Sequence, residues 1–144
     1  MNPRELLKKT GIEVAAESFS LVSLTHEAWR KLLERPDLGP SMTTPFMILM
    51  DKDEVTLMLD ETDLRRAEPF MGLARIERGY RLLTFDIELE LTVVGFFAEV
   101  SRILAEAEIP ILALSAFSRD HLLIKQEDLA RALKTLGSHV DAVC

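Results

Sequence analysis

The sequence is poor in the residues that staple a fold or ligate a metal. Its one cysteine, Cys144, is the last of 144 residues. No disulfide can form within the chain, and a cysteine-built metal cage is excluded. The three histidines, His26, His121 and His139, lie far apart, and no two stand at metal-ligand spacing. No window approaches the ~18 consecutive apolar residues of a membrane span. The opening stretch MNPRELLKKTGIEV lacks the apolar core of a secretory leader, so the expected location is the cytoplasm. Basic charge is also in deficit: 17 Lys and Arg stand against 24 Asp and Glu, a net charge of −7. That argues against a nucleic-acid partner, whose phosphates call for a basic face, and against an anionic membrane surface. A Gly-x-Ser-x-Gly elbow and a phosphate-binding glycine loop are both missing. The expectation is a non-enzymatic protein with no cofactor and no metal.

What is present is the composition of a soluble domain, 48% apolar and 28% charged. The length suits one ordinary domain or two very small ones. Asn2, Pro3 and Gly11 punctuate a short helix over NPRELLKKTG. Phe19 to Leu24 reads as a strand, and Thr25 can cap a helix through HEAWRKLLERPDLG, whose Ala28, Trp29, Leu32 and Leu33 share one face. PFMILM and VTLMLD flank the four polar residues Asp51 to Glu54, a hairpin pattern. ETDLRRAEPFMGLARIERG reads as a short helix or loop followed by a linker.

The pattern sharpens from Tyr80. YRLLTFDIELEL alternates, with Phe85, Ile87, Leu89 and Leu91 on one side, and reads as a strand. Val93, Phe96, Phe97, Val100, Ile103, Leu104 and Ala107 then mark an amphipathic helix that Thr92 is placed to cap. PILALSAF and DHLLIK read as strands, QEDLARALKTLG as a helix stopped by Gly137, and HVDAV as a last short strand. The order β-α-β-β-α-β over residues 80–143 is the ferredoxin-like pattern, and residues 19–60 repeat its first four elements. The expected fold is α+β: two units with antiparallel sheets and helices on one face. The expected division is 1–74, with the leading helix, and 75–144.

The second half resembles the ACT domain, a small regulatory module of amino-acid metabolism. The resemblance rests on Leu91, Thr92 and Gly95; on Ile109, Ile111 and Ser115; on Asp120 and His121; and on Ile124, Glu127, Leu129, Ala132 and Leu133. More closely, the chain is similar to short prokaryotic proteins built of two ACT-like units, related in domain type to the cytosolic arginine sensors of animals. Relatives often carry an acid at the position of Ser118 and an aromatic where Arg119 or His121 stands. The resemblance implies a ligand, often an amino acid, held at an interface between units. The residues it assigns to that site are Thr92, Val93, Val94, Gly95 and Phe96 on the first loop, with Ser115, Ala116, Phe117, Arg119, Asp120 and His121 on the facing hairpin. A helix N-terminus favours a carboxylate, a glycine allows close approach, and Asp120 can hold an ammonium or guanidinium group.

Five of these residues also have a plainer reading. Arg119, Asp120 and His121 suit a charged hairpin turn. Gly95 suits packing against the sheet, and Thr92 a simple cap. The functional expectation is a regulatory protein that binds a small metabolite, most simply an amino acid, and acts as a homo-oligomer or on a protein partner. The alternative is a ligand-free dimerisation or docking module for an enzyme or regulator.

Overall fold

A computed structural model describes all 144 residues. In chain order the elements are helix α1 (Pro3–Lys8), β1 (Gly11–Val14), β2 (Phe19–Leu24), α2 (His26–Leu33), β3 (Met47–Met50), β4 (Val55–Asp60), α3 (Glu61–Ala67), β5 (Arg75–Asp86), α4 (Phe96–Glu106), β6 (Leu112–Ser115), β7 (Asp120–Lys125), α5 (Leu129–Gly137) and β8 (Ala142–Val143). They divide into two units. One joins Met1–Ala16 to Tyr80–Cys144, and the other is Glu17–Gly79.

In the unit 17–79 the strand order is β3-β4-β2. β2 and β4 pair antiparallel from Phe19↔Asp60 to Leu24↔Val55, and β3 pairs with β4 from Met47↔Met58 to Met50↔Val55. The hairpin turn is the expected one. Asp51 N donates to Glu54 O at 3.0 Å, and the Asp51 carboxylate accepts the amides of Asp53 and Glu54 at 2.7 and 2.9 Å. Val22, Leu24, Leu32, Val55, Leu57, Leu59, Leu64 and Met71 form the core.

In the other unit the order is β6-β7-β5-β1-β8. β5 pairs antiparallel with β7 from Tyr80↔Lys125 and with β1 from Gly11↔Asp86; β6 and β7 form a hairpin. Leu83 and Phe85 on β5, with Leu122 and Ile124 on β7, meet Phe96, Val100, Ile103 and Leu104 of α4, Ala132 and Leu136 of α5, and Leu7 of α1. Phe85 takes Phe96 and Phe97 edge-on, at centroid distances of 5.9 and 6.2 Å. The order β5-α4-β6-β7-α5-β8 is the ferredoxin-like pattern.

Several expectations are corrected. The contiguous division 1–74 and 75–144 gives way to a discontinuous one. The leading helix buries Leu7 in the core of the C-terminal unit, and the unpredicted strand β1 pairs with β5 and β8. β1 and β8 run parallel, so that sheet is mixed and not wholly antiparallel. The supposed linker at 75–79 is the start of the 12-residue β5. Alternation through Leu91 does not continue the strand, because β5 ends at Asp86. Ile87 and Leu89 pack on the core from a loop. Gly137 is the last helical residue, and Ser138 caps α5.

Candidate ligand site

Residues 87–95 join β5 to α4 without regular structure. Val93 N donates to Glu90 O at 3.0 Å, closing a turn, and Leu89 N donates to Ser118 O at 2.8 Å, tying the loop to the β6–β7 hairpin. The loop ends at Gly95, the N-cap of α4, in the left-handed region at φ 87°. Only glycine takes that conformation without strain. A Cβ there would also lie 3.2 Å from Pro3 Cγ.

No side chain caps α4, which corrects the placement of Thr92 as its cap. The chain needs three more residues after Thr92 before it turns into the helix. The first amides of an α-helix have no intrahelical acceptor, and the macrodipole places partial positive charge there. The amides of Phe96, Phe97 and Ala98 therefore open α4 with no side-chain acceptor of their own.

The facing hairpin closes through Ala116 N donating to Arg119 O at 2.9 Å. Ser115 and Asp120 are register partners, and Ser115 Oγ donates to Asp120 Oδ1 at 2.8 Å. Arg119 Nε donates to Asp86 Oδ1 at 3.0 Å, a half-exposed ion pair. His121 pairs through Nδ1 with Thr84 Oγ1 at 2.8 Å. Burial pushes its pKa below the ordinary histidine value; the charge of Asp120 opposes this and that of Arg119 adds to it.

Between loop and hairpin lies a cleft of about 330 Å³, lined by Leu89, Glu90, Leu91, Val93, Gly95 to Ala98, and Ser115 to Asp120. The lining comes from one unit alone. Of the residues singled out in the sequence, Val93, Gly95, Phe96, Ser115, Ala116, Phe117, Arg119 and Asp120 face it. Thr92, Val94 and His121 do not. Val94 is exposed, and His121 is turned to Thr84. Leu91 and Ser118 lie inside the stretches Leu91 to Phe96 and Ser115 to His121 that the sequence points to, whereas Leu89, Glu90, Phe97 and Ala98 were missed. Taking 87–91 as strand hid Leu89 and Glu90. The cleft offers helix amides at one wall, the Asp120 carboxylate at another, and apolar surface between. No group of three His, Cys, Asp or Glu side chains is placed to hold a metal ion.

The family model described as the ACT domain matches residues 75–138. That segment is an ACT domain. It runs from the start of β5 through the end of α5 and contains every residue lining the cleft.

Solved structures share the fold over nearly the whole chain. A protein of Agrobacterium tumefaciens is 17% identical at a TM-score of 0.71, covering 94% of this chain and 92% of its own. A Vibrio cholerae protein of unknown function is 21% identical at 0.68, covering 93% of each. The regulatory subunit of aspartate kinase from Thermus flavus is 11% identical at 0.69, covering 92% of this chain and 98% of its own. At these identities the likeness is one of fold. No curated protein matches the sequence significantly. No helix is long and apolar enough to cross a membrane.

Proposed function

We propose that the chain is a cytoplasmic, non-enzymatic regulatory protein that binds a small metabolite, an amino acid, in the cleft of its ACT domain. One observation carries the reading: α4 begins, uncapped, on the same cleft that holds Asp120. A zwitterion needs both. Its carboxylate suits the amides of Phe96 to Ala98, and its ammonium suits the Asp120 carboxylate, which Ser115 holds in place. Gly95 keeps the wall low enough for backbone approach. The fold supports the reading, since regulatory subunits of aspartate kinase share it. Binding would favour one arrangement of the protein, and a second copy or a partner protein would read it.

The test is calorimetric titration of the purified protein with each of the twenty amino acids, followed by the Asp120→Ala variant. One amino acid should bind saturably, and Asp120→Ala should weaken it about tenfold or more while leaving the thermal midpoint near that of the wild type. Equal affinity in wild type and variant would remove Asp120 from the site. No binding to a folded protein at millimolar ligand would remove the amino acid.

A second reading also has an observation behind it. Leu91, Val94 and Phe117 are 74%, 85% and 80% exposed, all on the loop and hairpin that form the cleft. As a docking module, the protein would seat a second copy of itself or a partner on this rim and take no ligand. Sedimentation separates the two. Dissociation caused by Phe117→Ser, without any amino-acid binding in the wild type, favours docking.

A further inference from the structure

A second cleft in the same unit has the opposite electrostatic character. α1 packs along α4, and these helices with His139 enclose about 330 Å³ lined by Arg4, Leu7, Lys8, Glu99, Arg102 and His139. None of these residues lines the ACT cleft described above. The lining carries three permanent cations and one acid, a formal +2 before any charge on His139, on a chain whose net charge is −7.

Glu99 organises this lining. Its side chain is 13% exposed. Arg102 Nη2 and Nε donate to its two oxygens at 2.6 and 3.2 Å, and Arg4 Nε approaches at 3.5 Å. The hydrogen bonds from Arg102 hold the Glu99 carboxyl below the usual carboxylate range. Arg102 also donates to Glu106 at 2.8 Å, outside the lining. One partly buried acid thus gathers two guanidinium groups, while Lys8 and His139 bring further nitrogen to the same space.

Helix electrostatics does not account for this placement. Lys8, in the last turn of α1, complements the helix dipole, but Arg4 lies in the first turn, where a cation is disfavoured. We propose that this cleft binds a phosphate group, as inorganic phosphate or as the phosphomonoester of a small metabolite. With Glu106 set against Arg102, one excess cation remains, and a phosphate dianion is drawn to it more strongly than a carboxylate monoanion is. The Arg102 fork is held by Glu99 and Glu106, so the Arg4 guanidinium is the fork that matches the tetrahedral oxygens, and Lys8 adds a point charge. The remaining volume admits a small organic substituent on the phosphate.

The experiment is a titration of the full chain with inorganic phosphate and, separately, with glycerol 3-phosphate, at constant ionic strength maintained with chloride. The readouts are the His139 ring resonances and the amides of residues 4–8 and 99–102. The expected result is a saturable shift confined to these signals. Inorganic phosphate saturating more tightly assigns the free ion, and glycerol 3-phosphate saturating more tightly assigns a phosphomonoester. The double variant Arg4→Gln, Lys8→Gln should lose roughly tenfold in affinity with an unchanged thermal midpoint in chloride. Lys134→Gln, which changes an exposed cation outside the cleft, should leave the affinity alone, as should Asp120→Ala in the other cleft. If neither phosphate gives a saturable shift, the proposal falls. It falls equally if Lys134→Gln weakens the response as much as the double variant does.

Discussion

Two strand-to-helix junctions occupy the same place in the order of elements, one in each unit, and they are built differently. Between β2 and α2 only Thr25 intervenes. Its hydroxyl accepts the Ala28 amide at 3.0 Å, and the next residue, His26, donates from Nε2 to Asp51 O in the neighbouring hairpin turn at 2.7 Å. Between β5 and α4 lie residues 87–95, with a left-handed glycine at the cap and no side-chain acceptor for the helix amides. Both loops reach the following hairpin. In the first unit a ring fills the contact, whereas in the second a single backbone bond, Leu89 to Ser118, ties loop to turn beside an open cleft. Loop length and cap chemistry, not the order of elements, decide which junction is closed by its own side chains.

The largest effect should come from closing the open junction. Gly95→Val puts a β-branched residue at φ 87° and a Cβ 3.2 Å from Pro3 Cγ. The strain should cost about 3 kcal/mol in urea unfolding, and the crowded loop should no longer bind ligand. Gly137→Ala is the counterpart. Its Cβ meets nothing within 4 Å and its φ is ordinary, so it should gain about 0.5 kcal/mol. A Gly95→Val protein as stable as wild type would mean that the left-handed cap is not required, and the contrast between the junctions would lose its basis.

Cap chemistry comes next. Thr25→Ala leaves the Ala28 amide without its acceptor and should cost about 1 kcal/mol. Thr92→Ala, at the threonine that the sequence offers as the equivalent cap, should change the unfolding free energy by less than about 0.3 kcal/mol, since it is exposed and caps nothing. Equal losses at the two threonines would show that the second junction is capped after all.

That pair of threonines also marks what can be read in the sequence and what cannot. Both precede amphipathic runs, and local pattern treats them alike. What separates them is a positive φ at Gly95, a tertiary outcome that no periodicity reports. The alternation of Ile87, Leu89 and Leu91 misleads for a related reason. A loop lying along the edge of a core buries every second residue much as a strand does. Strands that form an unbroken apolar run between turn or cap residues were legible almost to the residue, such as Phe19–Leu24, Asp120–Lys125 and the hairpin around Asp51 to Glu54. β1 was not: it is only four residues long, Gly11–Val14, and the apolar stretch it lies in runs on past its end without a turn residue to mark it. The ACT resemblance carried the loop and hairpin into the sequence reading, and eight of its eleven residues lie on one cleft. It did not reveal Glu90, or that Arg119 is engaged by Asp86.

The smallest effect concerns the edge of the cleft and depends on pH. His121 adjoins Asp120 but turns to Thr84, and burial lowers its pKa below the ordinary 6.5. A base whose pKa is lowered by folding binds fewer protons in the folded state. Its contribution to stability is therefore complete above about pH 6.5 and is lost as the pH falls through that value towards the folded pKa. The urea midpoint of the wild type should drop between about pH 7.5 and pH 5.5, and that of His121→Gln should drop less over the same interval. Asp60, held low by the Asp63 amide and Thr44 hydroxyl against the opposing effect of its burial, contributes only further down, within the carboxylate range. Parallel curves for wild type and His121→Gln would mean that the ring is not kept neutral by the fold. The hairpin of the open junction would then be as solvated as the turn at Asp51.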